Sequence, residues 1–153
     1  MSTHQALLDP AVLRALDPSF IDLPSEESVL EGVASRYAVL ELGAEDPRRA
    51  AVLDVVDLAA LPGEPDVVVV RRYSRGDYAL PHRFGEEVAG AGWGVHVALQ
   101  DSLVDGLTFW DGQEFTRVLD TAGTPVRPAM DAWCWTSPVR ADVRYTVTIG
   151  GRA

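Results

Sequence analysis

Apolar and polar positions along the chain fall into two textures. Up to about residue 65 the apolar residues recur at helical spacing. Asp9-Pro10 opens a first helix, with Asp9 as cap, Pro10 at the first helical position, and Ala11, Val12, Leu13, Ala15 and Leu16 following; Asp17-Pro18 stops it. Ser25 caps a second helix, with Glu26 and Glu27 in its first turn and Val29, Leu30, Val33 and Tyr37 on one face. Residues 38–42 read as a strand ending at Gly43, and Asp46-Pro47 opens a third helix that runs towards Leu61 and stops at Pro62-Gly63.

From Asp66 the period changes. Residues 67–73 form a β-branched run, and 93–100, 106–110, 114–119, 132–136 and 144–149 are short strand-like pieces. Turn pairs separate them, as at Asp105-Gly106, Asp111-Gly112 and Ala122-Gly123. Short strands with regular turn signals predict a small barrel or sandwich. The sequence therefore predicts one α+β domain over residues 1–153, with mainly helical support over 1–65 and a β-barrel core over 66–153.

Composition narrows the function classes. With 153 residues and 47% hydrophobic content the chain can bury a core. There are 13 basic and 23 acidic residues, a net charge of −10, so binding to nucleic acid or an anionic membrane surface is disfavoured. Every basic residue is Arg, and the chain has no Lys and no Asn, a composition of the GC-rich, actinobacterial type. The missing Lys also removes Schiff-base chemistry. The single cysteine, Cys134, rules out an internal disulfide. The N-terminal residues lack the pattern of a signal peptide, which predicts a cytoplasmic protein.

The order of residues in the second half is more specific. Tyr73-Ser-Arg-Gly76 is followed by His82, then by Gly106-Leu-Thr-Phe109, then by Pro138-Val139 and by Arg144-Tyr145 at the head of the last strand. This series resembles the prolyl-hydroxylase-like branch of the iron(II)/2-oxoglutarate-dependent oxygenases. The resemblance implies N-terminal helices packed on a double-stranded β-helix, a jelly-roll or cupin-like barrel. It also implies iron held by two His and one carboxylate, and an Arg that grips the distal carboxylate of 2-oxoglutarate. His82 matches the first ligand and Arg144 the arginine. The carboxylate position is Phe84, and the second His position is Cys134. Halogenase-like relatives dispense with the carboxylate but keep both His, so that route does not account for Cys134. A rescued metal site would have to use His82 with Glu86 and Cys134.

Strand alternation assigns candidate interior positions. His82 and Phe84 share a face, as do His96, Ala98 and Gln100; Thr108 with Trp110, Cys134, and Arg144 with Thr146 and Thr148 are placed inside with them. The expected pocket therefore combines His82 and His96 as acid–base candidates with Tyr73, Phe84, Gln100, Thr108, Trp110, Cys134 and Arg144 as substrate contacts. Beside Phe84, His82 is expected to be desolvated and to act as a neutral base. Plainer roles exist for several of these. Arg144 could pair internally with Asp101 or Asp131, Cys134 could serve as a small buried hydrophobe, and Arg71-Arg72 could be solvated.

Three functions follow from this reading. The first is a metal-independent enzyme without cofactor that performs proton-transfer chemistry (cyclisation, isomerisation or elimination) in specialised metabolism. Its substrate would be a small anionic or carbonyl-bearing molecule, and a homodimer is compatible with it. The second is a genuine oxygenase using Fe(II) and 2-oxoglutarate at a non-standard metal site. The third is a non-catalytic binding protein. Fold resemblance does not choose among them.

Overall fold

The computed structural model describes residues 8–23 and 34–152. The helix expected after Ser25 lies outside the described residues, except that Tyr37 belongs to a strand. Among the described residues two α-helices frame the first part: α1 (Pro10–Leu16) and α2 (Pro47–Leu53). Each begins as its sequence dictates. The Asp9 carboxylate accepts from Ala11 N at 2.7 Å, the Asp46 carboxylate accepts from Arg48 N at 2.9 Å, and Pro occupies the first turn in both. α2 is shorter than the expected run to Leu61. It stops at Asp54, beyond which Val55-Val56 and a single 3-10 turn over Leu58–Ala60 follow. β-Branched residues lose side-chain freedom in a helix, and Val56 is instead buried in the core.

The described residues also form ten strands: β1 (Ile21–Leu23), β2 (Tyr37–Glu41), β3 (Val67–Ser74), β4 (Ala79–Arg83), β5 (Trp93–Ala98), β6 (Gly106–Trp110), β7 (Phe115–Leu119), β8 (Pro125–Val126), β9 (Trp133–Thr136) and β10 (Val143–Gly151), with β1 and β2 lying between α1 and α2 in the chain. They form two antiparallel sheets. The larger has the order β1-β2-β3-β10-β5-β8, and the smaller β4-β9-β6-β7. The region before residue 66 is thus more than helical support, because β1 and β2 extend the larger sheet beside β3.

Alternation along the central strands creates two different layers. Val68 and Val70 on β3, Val95 and Val97 on β5, and Val147 and Ile149 on β10 face away from the smaller sheet. They pack with Leu16, Leu42 and Val52 in one apolar layer against the helices. The opposite face of the same strands carries Arg71, His96, Arg144, Thr146 and Thr148, all buried between the two sheets. Across the gap the smaller sheet contributes Leu107, Phe109 and Cys134, which pack with Phe84. Among the described residues no helix is long and apolar enough to cross a membrane.

Candidate functional site

The interior holds two buried arginine–carboxylate groups. The first is centred on Glu87, which sits in the 3-10 turn Phe84–Val88 after β4. Two glycines place that turn. Gly94 and Gly150 lie opposite each other on β5 and β10, and a Cβ on either would approach Val88 to 2.8 Å. Their missing side chains leave a notch that Val88 fills. Two positions along the same ladder, on the same face, is the Thr148–His96 pair, so Glu87 reaches Thr148, whose Oγ1 donates to Glu87 Oε1 at 2.8 Å. Arg71 Nη1 lies 3.2 Å from the same oxygen and donates to Thr148 Oγ1 at 2.8 Å.

The other Glu87 oxygen faces His82. His82 Nε2 is 2.5 Å from Glu87 Oε2, and Nδ1 is 2.7 Å from the Leu80 carbonyl oxygen, so Nδ1 carries a proton and donates to that carbonyl. Cys134, the register partner of His82, brings Sγ within 3.4 Å of Nε2 and 3.5 Å of Glu87 Oε2. Burial alone would lower the His82 pKa, but the hydrogen bond and charge of Glu87 outweigh it and raise it. Burial would likewise push the Glu87 carboxyl up, but Arg71 and then His82 hold it well below the usual carboxylate range. Both shifts favour the imidazolium–carboxylate form of the pair, where the sequence led to the expectation of a neutral base, because the sequence did not reveal the carboxylate beside His82. Burial, and then Glu87, push the Cys134 thiol up, so it stays protonated.

This cluster floors a cleft of about 370 Å³ lined by Ser35, Tyr37, Arg71, Leu80, Pro81, His82, Glu86 and Glu87. Beneath it lies an internal void of only about 10 Å³, bordered by Arg71, Tyr73, His82, Glu87, His96 and Thr136 among others. That leaves room for about one water molecule. His96 borders this void, and its Nε2 is buried with no hydrogen-bond partner among the described residues. Burial, reinforced by the charge of Arg144, lowers its pKa to about 4, so it is neutral.

The second group is sealed. Arg144 Nε and Nη2 donate to Asp120 Oδ2 and Oδ1 at 2.7 and 2.8 Å, and each side chain is 1% exposed. Gln100 Nε2 donates to Asp120 Oδ2 at 3.1 Å while Gln100 Oε1 accepts from Tyr145 N. The Arg144 guanidinium also lies over the Tyr73 ring, 5.2 Å from its centroid. Arg144 is thus paired internally, but with Asp120 rather than Asp101 or Asp131.

The single expected pocket divides accordingly. His82 and Cys134 border the cleft cluster, with Phe84 buried behind them. Tyr73, Gln100 and Arg144 belong to the sealed group, and His96 lies between the two. Thr108 and Trp110 are on the outer face of the smaller sheet, because Leu107 and Phe109 alternate with them and pack inward. Trp110 stacks on Phe115 there, at 5.9 Å between centroids. Glu86 is exposed, and the acidic member of the cluster is Glu87. Arg71 and Arg72 are not solvated: Arg71 is buried, and Arg72 pairs with Asp17 at 3.1 Å. Sequence reasoning missed Arg71 and Glu87. The signal for Arg71 was its place on the same strand face as Tyr73, and opposite the Thr-rich face of the last strand.

The geometry also tests the cofactors that the resemblance implies. An oxo diacid does not fit, because a carboxylate of the chain occupies the Arg144 fork and the interior void is far too small. The donor set at the metal position is one imidazole, one carboxylate already paired with Arg71, and one thiol, their ligand atoms within 4.8 Å of one another. This differs from two imidazoles and a carboxylate, and iron–oxo-acid chemistry is not supported by it.

No family model matches the sequence, and no curated protein matches it significantly. Solved structures do match the fold. A 2OG-Fe(II) oxygenase-family oxidoreductase from Burkholderia pseudomallei superposes with a TM-score of 0.61 at 12% identity, over 94% of this chain and 82% of the other. A Pseudomonas putida prolyl-4-hydroxylase gives 0.57 at 15% identity, over 99% and 92%. The non-heme alpha-ketoglutarate-dependent epimerase SnoN from nogalamycin biosynthesis gives 0.57 at 17% identity, over 96% and 76%. The chain has the double-stranded β-helix fold of these structures, with N-terminal helices on its larger sheet.

Proposed function

We propose that the chain is a small-molecule enzyme that moves a proton at the His82–Glu87 pair, on a substrate seated in the cleft against Arg71, without metal or oxo acid. The observation that carries this reading is the placement of a charged Arg71–Glu87–His82 cluster on the floor of a cleft of about 370 Å³. Buried charges are costly to keep where an apolar core would serve, and these three lie where the interior borders the cleft. His82 Nε2–H donates a proton to the substrate oxygen while Glu87 removes one from the adjacent carbon, and the reverse transfers at oxygen and carbon restore both groups. Arg71 orients an anionic or carbonyl oxygen by charge and hydrogen bond. The proton is returned within the cycle, so nothing is oxidised. Isomerisation, epimerisation, cyclisation and elimination all meet that requirement.

The test is solvent-isotope incorporation. The protein is incubated in D2O with a panel of small carbonyl and carboxylate carbon acids, and exchange is followed by proton NMR. Exchange that disappears in Glu87→Gln supports the reading. Binding in the cleft without exchange on any member points to a non-catalytic binding protein instead.

A second reading rests on the convergence of His82, Glu87 and Cys134. A soft divalent ion there would displace the Nε2 proton and the thiol proton. Metal analysis of protein purified with iron and zinc supplied separates the two. About one ion per chain, lost in Cys134→Ala, favours the metal reading.

A further inference from the structure

We propose that Asp120 is a specificity-determining residue: it occupies a carboxylate-binding seat at Arg144 with a carboxylate of the chain itself, and so excludes free anionic ligands from that seat. The seat has the features of a ligand site and not only of an ion pair. The guanidinium presents its Nε/Nη2 edge to both carboxylate oxygens, the bidentate geometry that recognises carboxylates. Gln100 adds a third donor to Oδ2. The Tyr73 ring supports the guanidinium, and Thr136 Oγ1 accepts from Nη1 at 3.5 Å. The occupant is delivered by fixed backbone. Asp120 follows β7 directly, its N–H donates to the Asp105 carbonyl at 3.0 Å, and its own carbonyl accepts from Ser102 N at 3.0 Å. A carboxylate anchored in this way competes at a very high effective concentration, which a free acid in solution cannot match.

This inference does not depend on proton transfer in the cleft. Its failure would leave the cleft reading standing, and the reverse also holds.

The experiment uses thermal melts of the whole chain with formate, acetate, 2-oxoglutarate or chloride as probes. Wild type should melt at the same temperature with 20 mM 2-oxoglutarate as with chloride at equal ionic strength. Asp120→Gly empties the seat and should melt lower. Formate or acetate should restore at least half of that loss with an apparent dissociation constant on the order of millimolar, whereas chloride should not. The double variant Arg144→Met/Asp120→Leu should fold and be indifferent to all four. If Asp120→Gly does not fold alone, refolding in formate against chloride supplies the readout. A higher soluble yield in formate supports the seat, and equal yields overturn it. Stabilisation of wild type by 2-oxoglutarate that is lost in the double variant would overturn the proposal. So would a folded Asp120→Gly with no carboxylate-specific gain.

Discussion

The two arginine–carboxylate groups between the sheets use the same functional groups in different surroundings. Arg144 and Asp120 are each 1% exposed and pair bidentately, Nε and Nη2 against both carboxylate oxygens. Arg71 and Glu87 are 11% and 10% exposed, meet through one oxygen only, and share the carboxylate with His82, which is 25% exposed. In the first group every strong donor is used within the chain. In the second, a proton on an imidazole and a single guanidinium contact border open volume. The difference lies in stoichiometry and access. One carboxylate against one cation closes a site, while the Glu87 carboxylate is shared between Arg71 and His82 at the border of a cleft that Glu86 also lines, which leaves donors within reach of a ligand.

The largest test of this contrast is to break each pair on one side only. Arg144→Met strands the Asp120 carboxylate in a sealed interior and should cost about 3–5 kcal/mol in urea unfolding, whereas replacing both partners with Met and Leu should be close to neutral. Arg71→Met should cost less, because Glu87 keeps His82 and Thr148 as donors. An equal loss at the two sites would dissolve the distinction.

Catalysis should divide the same way. Glu87→Gln should reduce solvent exchange on a true substrate by about 10²–10⁴-fold. It should also bring the His82 titration, followed by NMR, back down towards its ordinary value near 6.5. A variant at Gln100, in the sealed group, should leave that titration in place.

The two histidines make opposite demands on pH. His96 falls from 6.5 to about 4 in the folded chain, so unfolded chains bind more protons in that window. Its contribution is present above pH 6.5 and is lost as pH drops towards 4, on the order of 3 kcal/mol. His82 is raised, so its contribution is present below pH 6.5 and lost as pH rises through its folded value. Stability should therefore peak near pH 6.5. His96→Leu should flatten the acid limb and His82→Gln the alkaline limb, as read from melting temperature against pH.

The smallest expected effect is at Thr108. Because it lies on the outer face of the smaller sheet, Thr108→Val should leave both groups untouched and change stability by no more than about 0.5 kcal/mol. A loss of ligand binding there would return Thr108 to the pocket that strand alternation first assigned to it.

Much of the architecture was legible in the chain. Asp9-Pro10 and Asp46-Pro47 mark helix starts because a cap and a fixed φ act locally. The strands from Val67 onward follow from period-2 runs between Gly and Asp turns, and the order Tyr73, Gly76, His82, Gly106, Phe109, Pro138, Arg144 pointed to the barrel. The inward face of β10, with Arg144, Thr146 and Thr148, was also correctly read, since alternation is a property of one strand. The phase of β6 was not. In Gly106–Trp110 apolar residues occupy both faces, so Leu107–Phe109 and Thr108–Trp110 compete, and only packing against Phe84 and Cys134 selects the former pair.

The sequence by itself determined most of the strands, though not β1, β4 or β8, where α1 and α2 begin, and which chemistry the chain could not perform for want of Lys and paired cysteines. Only the tertiary structure decided which charge meets which. Glu87 is placed by a notch between Gly94 and Gly150, residues 56 positions apart in the chain but opposite each other in the sheet. Asp120 meets Arg144 across 24 positions, and Arg71 meets Thr148 across 77. Such pairings depend on sheet register and on which surface is sealed from water. Both are set by the whole fold and not by any local pattern.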